Sequence, residues 1–201
     1  LPAVGRNLRD HPAAPIAMES DDATSYGHSL KALPRNVAQT FRYLATRTGQ
    51  YASNLFETNA YIRTLPDSDR PDLQIVFQPA RRNTRPFPIP LGHGYAIVIV
   101  CLYPRSTGRV TLSGPDPLAL PLIDPALGSD PIDLQTLVRG LKMARKIFAY
   151  ESFSKYHARE VFPGAEVSSD EQWLEHIRAT LTTVHHPGST CRMGPKNGDN
   201  V

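Results

Sequence analysis

Tyr95-Ala-Ile-Val-Ile-Val-Cys-Leu102 is the stretch from which the fold of this chain is read. It carries no charge and no proline, and isoleucine and valine fill its middle. β-branched side chains favour a pleated backbone, and aliphatic residues pointing both ways need cover on both faces. The stretch therefore predicts a buried central strand over 96–102. It is far shorter than the roughly 20 apolar residues that cross a bilayer, and no transmembrane segment is predicted elsewhere.

On its C-terminal side, Gly108 to Ser113 reads as the next strand, separated by a gap short enough for antiparallel pairing beside it. On its N-terminal side, Ala60–Thr64 and Leu73–Phe77 are short β-prone runs split by the turn-rich Pro66–Pro71. Arg81 to Pro90, dense in arginine and proline, predicts a loop. Val37, Phe41 and Leu44 recur at helical spacing from Arg35 onward, and Gly49 stands where a glycine would stop that helix. Residues 1–27, punctuated by Pro2, Gly5, Pro12, Pro15 and Gly27, read as irregular.

A further helix is predicted to start at Asp130, with Pro131 in its first position and Asp133 near its positive end. Its apolar stripe is Leu134, Leu137, Val138, Leu141, Ala144 and Phe148, with Arg139, Lys142, Arg145 and Lys146 on a solvated face. The last helix opens with Ser168-x-x-Glu171, read as a capping box, and buries Trp173, Ile177 and Leu181. Strands followed by helices, with short antiparallel gaps, make the predicted class α+β: a largely antiparallel sheet flanked by helices.

Composition agrees with a folded chain. Of 201 residues, 40% are hydrophobic and 20% charged, which excludes full disorder. The 19 prolines speak against a long helical bundle, because an interior proline removes a backbone donor and clashes with the preceding turn. A net charge of +3 makes no electrostatic footprint for nucleic acid. Cys101 and Cys191 can form at most one disulfide, so this is no disulfide scaffold.

The densest chemistry lies at Thr182-Thr-Val-His-His-Pro-Gly-Ser-Thr-Cys-Arg-Met-Gly194. The segment leaves the last helix, so His185 and His186 sit on a loop anchored to a rigid element. Imidazole takes or gives a proton near neutrality; the bland alternative for each histidine is a solvated loop residue. A zinc site lacks support, since no paired C-x-x-C or H-x-x-x-H accompanies His185, His186 and Cys191. No metal is predicted. There is no G-x-S-x-G, Ser152-Phe-Ser-Lys155 stands without companions, and Gly92-His-Gly94 lacks the other glycines of a dinucleotide fingerprint.

The tail resembles the C-terminal Y-H-P-x-G-T-C-[KR]-M-G motif of the glucose–methanol–choline (GMC) flavoprotein oxidoreductases. The head, Leu1-Pro-Ala-Val-Gly-Arg-Asn-Leu-Arg-Asp-His11, is similar to that family's V-G-x-N-L-x-D-H segment. Glu57–Arg63, Pro71-Asp-Leu-Gln74 and Pro104–Leu112 resemble further blocks in the same order, so the likeness spans nearly the whole chain.

The resemblance implies the substrate-binding part of an FAD-dependent alcohol oxidoreductase, a dehydrogenase rather than an oxidase, without the Rossmann-like FAD-binding part. It divides the chain into a segment 1–27 linking from an FAD-binding domain, a substrate-binding domain 28–181, and a catalytic loop 182–201 returning to that domain. The expected cofactor is FAD, bound mostly outside this chain. The expected partners are a small-molecule alcohol and the FAD-binding domain. His186 matches the family's histidine before proline, which implies the role of proton acceptor. Val184, His185 and Asn7 are implied cofactor contacts, and Arg192 and Met193 packing or loop-anchoring residues. Leu1–Ile16 is expected to pack on the FAD-binding part and Val184–Gly194 to close over the cofactor, and a chain beginning at Leu1 reads as cut from a longer product.

Two departures matter. The tail reads Pro187-Gly-Ser-Thr-Cys191, displacing the usual glycine. Val76 stands where choline-type members often carry histidine, which speaks against a close copy of a choline site. Glu57 with Tyr51 or Tyr61 is the one candidate cage for a quaternary ammonium, and its bland alternative is ordinary surface or core. The alternatives within the resemblance are a same-fold lyase or fatty-acid photodecarboxylase, or an inactive fragment.

Overall fold

The computed structural model describes residues 3–56, 58–81 and 91–195. Leu1, Pro2, Glu57, most of the Arg81–Pro90 loop and the last residues through Val201 lie outside the described residues, and with them the acidic member of the candidate cage.

The elements run β1 (Pro12–Ser20), α1 (Leu33–Thr46), a short 3-10 turn (Gln50–Ala52), β2 (Thr58–Ile62), β3 (Leu73–Gln78), β4 (His93–Cys101), β5 (Arg109–Thr111), β6 (Leu122–Asp124), α2 (Pro131–Phe148), α3 (Glu151–Ser154), β7 (Arg159–Phe162), α4 (Asp170–Thr180) and β8 (Thr182–Thr183). The main sheet has the order β2-β3-β4-β1-β7, with β8 also paired to β1, and every named pairing in it is antiparallel. The fold is α+β.

Strand β4 is buried along its whole length, as its apolar sequence demands. Its neighbours are β1 and β3, with Ile97 opposite Ile16 and Ile99 opposite Ile75. Helices α2 and α4 cover one face. There Ile16, Leu73, Ile97 and Ile99 meet Leu137, Leu141, Trp173 and Ile177 in one continuous core. Full burial of each such side chain contributes about 1.5–3 kcal/mol. Gly140 lets α2 lie close to the sheet, for a Cβ there would meet Ile99 Cγ2 at 2.5 Å and Leu73 Cδ1 at 2.6 Å. The opposite face holds a second, smaller apolar cluster of Ala13, Val98 and Val100, joined by Val76 and Val184.

Two strand expectations are corrected. Gly108–Ser113 does not lie beside β4: Arg109–Thr111 pairs with Leu122–Asp124 in a separate two-stranded sheet, and Gly108 bridges Leu8. The place next to β4 belongs to β1, inside the stretch expected to be irregular. Proline hid it. In an antiparallel strand a residue's N–H and C=O leave on the same edge, and the Pro15 carbonyl accepts from His176 Nε2 at 2.9 Å. The hydrogen that Pro15 lacks is thus not one that β4 needs. Ile16, expected to face another domain, is fully buried in this chain's own core.

The helices also differ in detail. Asp130 caps α2 through the Ile132 N–H as expected. Asp133 does more than balance a dipole: buried, it accepts from the Arg105 N–H at 2.8 Å, the Ser106 N–H at 2.9 Å and the Ser106 hydroxyl at 2.6 Å. Arg145 is not on a solvated face. It pairs with Glu160 at 2.5 Å, lies 4.2 Å from the Trp173 ring centroid, and donates to the Val167 carbonyl. The capping box of α4 is Ser169 with Gln172, one residue beyond the expected pair. Helix α1 ends at Arg47 in a left-handed conformation, ahead of Gly49.

Candidate functional site

The head of the chain, residues 3–11, runs between the β5–β6 hairpin and the loop that follows β8. Leu8 and Gly108 exchange backbone hydrogen bonds of 3.0 and 2.7 Å, and Arg9 and Gly188 exchange bonds of 3.0 and 2.9 Å. Gly5 donates to the Thr190 carbonyl at 2.9 Å and accepts from Val110 at 2.7 Å. Only glycine suits that position, because φ is +84° and a Cβ would lie 2.1 Å from the Val110 oxygen. Asn7 follows at φ +61°.

This ladder delivers Asp10 to the loop. Its Oδ1 accepts the N–H of His11 at 2.7 Å and of His186 at 3.0 Å, while Oδ2 accepts the Thr183 hydroxyl. The Thr183 oxygen in turn accepts the His185 N–H at 2.9 Å. Burial alone works to raise the Asp10 pKa, but the Thr183, His186 and His11 hydrogen bonds outweigh it and hold the carboxyl below its usual range. His11 meets His186 edge to face, with ring centroids 5.6 Å apart. Burial, followed by the neighbouring His186, depresses the His11 pKa against the opposing pull of Asp10.

The sequence candidates distribute as follows. His185 and His186 are exposed on the loop, His185 with a left-handed backbone, and Val184 packs on the small apolar cluster of the sheet's second face. Asn7, His185 and His186 therefore share the region where head meets tail. Met193 is 90% exposed, which corrects its reading as a loop anchor: Gly5 and Gly188 anchor this loop through the backbone instead. Leu8 is buried against the hairpin rather than left for another domain. Tyr51 and Tyr61 are both exposed, and the Tyr61 hydroxyl accepts from Gln74 Nε2 at 3.2 Å. Cys101 and Cys191 are unpaired, the first buried with its thiol pushed up to about 12 by burial, the second exposed.

Sequence reasoning missed Asp10 and Thr183. The available signal was the Asp-His pair closing the head and the hydroxyl three residues before His186. A carboxylate that gathers two loop amides and a hydroxyl fixes backbone position. An exposed imidazole on that fixed backbone can exchange a proton with a molecule lying on the site.

Residues 104–201 match the sequence profile of a family described as GMC oxidoreductase. The chain is 38% identical over 194 residues to an alcohol dehydrogenase (acceptor) from Pseudomonas putida, a match covering 96% of this chain and 35% of that protein. It is 33% identical over 196 residues to an oxygen-dependent choline dehydrogenase from Rhizobium etli, covering 98% of this chain and 36% of that one. Among solved structures, an FAD-dependent oxidoreductase from Chaetomium thermophilum shares the fold with a TM-score of 0.80 at 21% identity, covering 100% of this chain and 41% of that chain. The chain spans about a third of the length of the curated relatives it matches.

Proposed function

We propose, from the match of residues 104–201 to the GMC oxidoreductase family, that the chain forms the substrate side of an FAD-dependent alcohol oxidoreductase, with His186 receiving the proton of the alcohol. The observation that carries this reading is the Asp10 clamp, which fixes the backbone of His186 from the other end of the chain.

The residues present fit one end of the cofactor. Val184, His185 and Asn7 combine an apolar surface with polar groups, which suits the edge of a flavin ring. Nothing in the sequence offers the glycine-rich strand-to-helix turn that grips a pyrophosphate, so that grip is assigned to a domain outside this chain. Bound there, the flavin supplies a hydride acceptor. His186 takes the hydroxyl proton as the carbon–hydrogen bond is weakened. His11, its pKa depressed, brings little positive charge to the place where that proton arrives. Asp10 and Thr183 hold the loop so that the imidazole need not be ordered at each turnover. Val76 and Val184 favour an uncharged alcohol with an aliphatic body over a quaternary ammonium.

The test is spectroscopic. Mixed anaerobically with a primary aliphatic alcohol, the full-length protein is expected to lose its oxidised-flavin absorbance with formation of the aldehyde. Substrate consumption with an unchanged flavin spectrum would instead assign a lyase or decarboxylase chemistry to the same fold.

A further inference from the structure

A cavity of about 590 Å³ opens at the Ser20 end of β1, on the face of the sheet that α2 covers. It is separate from the histidine loop. Pro12, at the other end of β1, pairs with Thr183, and the eight steps of strand from there to Ser20 span about 26 Å at the usual rise. Val184 also lies on the opposite face of the sheet.

Aromatic rings build the wall of this cavity. The Tyr95 ring centroid lies 6.2 Å from that of Phe77, 5.2 Å from Phe153 and 6.1 Å from Tyr156, and all four residues line the space. Such a wall suits a flat apolar body.

The polar groups of the lining fall into two sets. The first is engaged within the protein. Ser20 donates to the Tyr156 carbonyl and accepts the Asp22 N–H at 3.0 Å, and Ser25 Oγ accepts the Gly94 N–H at 3.0 Å. Asp22, the one carboxylate among the described lining residues, accepts the Thr24 N–H at 2.7 Å. The second set is unengaged and consists of donors. Tyr95 is only 5% exposed, yet no described residue hydrogen-bonds its hydroxyl, which opens on the cavity. Burial and the neighbouring Tyr156 raise its pKa above the ordinary 10.0, so at neutral pH it remains a donor. Ser152 and Tyr156 add two further hydroxyls. Lys155, 5.0 Å from the Tyr156 ring centroid, is the one cation of the described lining and joins no ion pair among the described residues. A phenol buried this deeply is normally paired, and the cavity is where an acceptor can reach it.

We propose that this cavity binds a small aromatic carboxylate, with its ring against Phe77, Tyr95, Phe153 and Tyr156. The carboxylate accepts from the Tyr95 hydroxyl, and the Lys155 ammonium balances its charge. An aromatic ammonium fits less well, because the unengaged groups are donors and Thr24 already holds Asp22.

Isothermal titration calorimetry of the full-length protein with phenylacetate tests this. Saturable binding of phenylacetate is expected. Phenethylamine, which keeps the ring but reverses the charge, and octanoate, which keeps the charge without the ring, should bind far more weakly. Tyr95→Phe removes only the hydroxyl and should weaken phenylacetate binding about tenfold. Lys155→Met, at an exposed position, should weaken it about threefold. His186→Ala should bind phenylacetate as the wild type does, which keeps this cavity apart from the histidine loop. No saturable binding, binding of phenethylamine or octanoate as tight as that of phenylacetate, an affinity unmoved by both Tyr95→Phe and Lys155→Met, or binding lost in His186→Ala would each overturn the assignment.

Discussion

Asp10 Oδ1 accepts the backbone N–H of His186 at 3.0 Å across 176 positions of sequence. Together with the Leu8–Gly108 and Arg9–Gly188 bridges, this bond makes the first and last motifs of the chain one structure. A loop tethered only at β8 would sample many backbone states. Tethered also to the residue preceding His11, it holds an imidazole within a narrow volume, the condition that positioned proton transfer requires.

Asp10→Ala should loosen that loop. It leaves the His186 and His11 amides and the Thr183 hydroxyl without their acceptor, at an expected cost of about 1–3 kcal/mol, because water at this partly open site replaces some of the bonds. Urea denaturation at neutral pH measures it. The folded-state pKa of Asp10 lies below the ordinary 3.8. Its contribution is therefore complete above the unfolded value and is lost as pH falls through the lower folded value. The difference between wild type and Asp10→Ala should be flat from neutrality down to mildly acidic pH and shrink only in strong acid.

His186→Ala in the full-length protein should reduce alcohol turnover by roughly 10²–10⁴-fold, the usual share of a general base, with flavin content retained. His185→Ala should cost far less. Steady-state kinetics beside the flavin absorbance of both variants separates the roles, and equal losses would make the loop structural only.

Gly140→Ala sets two effects against each other. In a free helix the change gains about 1 kcal/mol. Here the new Cβ would stand 2.5 Å from Ile99 Cγ2 and 2.6 Å from Leu73 Cδ1. Overpacking of a tight core costs about 1–3 kcal/mol, so net destabilisation is expected. A raised thermal midpoint would show that α2 moves off the sheet freely.

His176 should make the fold sensitive to mild acid. It donates Nε2–H to the Pro15 carbonyl, and its ring packs on Phe162 at 4.6 Å and Trp173 at 6.2 Å. Burial lowers its pKa below 6.5, and nearby Arg145 adds to the lowering, while the Pro15 bond and Glu160 oppose it. The unfolded chain thus takes up a proton at a pH where the folded chain does not. Stability is full above 6.5 and falls as pH drops from there toward the depressed folded value. His176→Gln should flatten the stability profile across that window, read by chemical denaturation at several pH values.

The position of the candidate loop was legible because local sequence carried it. The motif around His186 named the loop, and Asp130-Pro131 named the start of α2 through a cap that depends on neighbouring residues alone. Arg145 misled for the converse reason. Its place on the polar side of the α2 helical pattern is a fact of periodicity, but Glu160 and Trp173, brought over it by β7 and α4, leave it half-buried and paired. The β1 strand was hidden by Pro15, whose missing donor matters only if a neighbouring strand needs it, and strand order is not a local property.

The helices with strong apolar stripes, the buried character of 95–101, the α+β class and the chemical make-up of the histidine loop can all be read along the chain. Each follows from spacing and side-chain type within a few turns of chain. Which strand lies beside β4, and that Asp10 and Thr183 hold the histidine loop, follow only from the folded chain. Those outcomes come from pairings between residues far apart in sequence, where hydrogen-bond geometry and packing choose among partners that composition and periodicity leave equivalent.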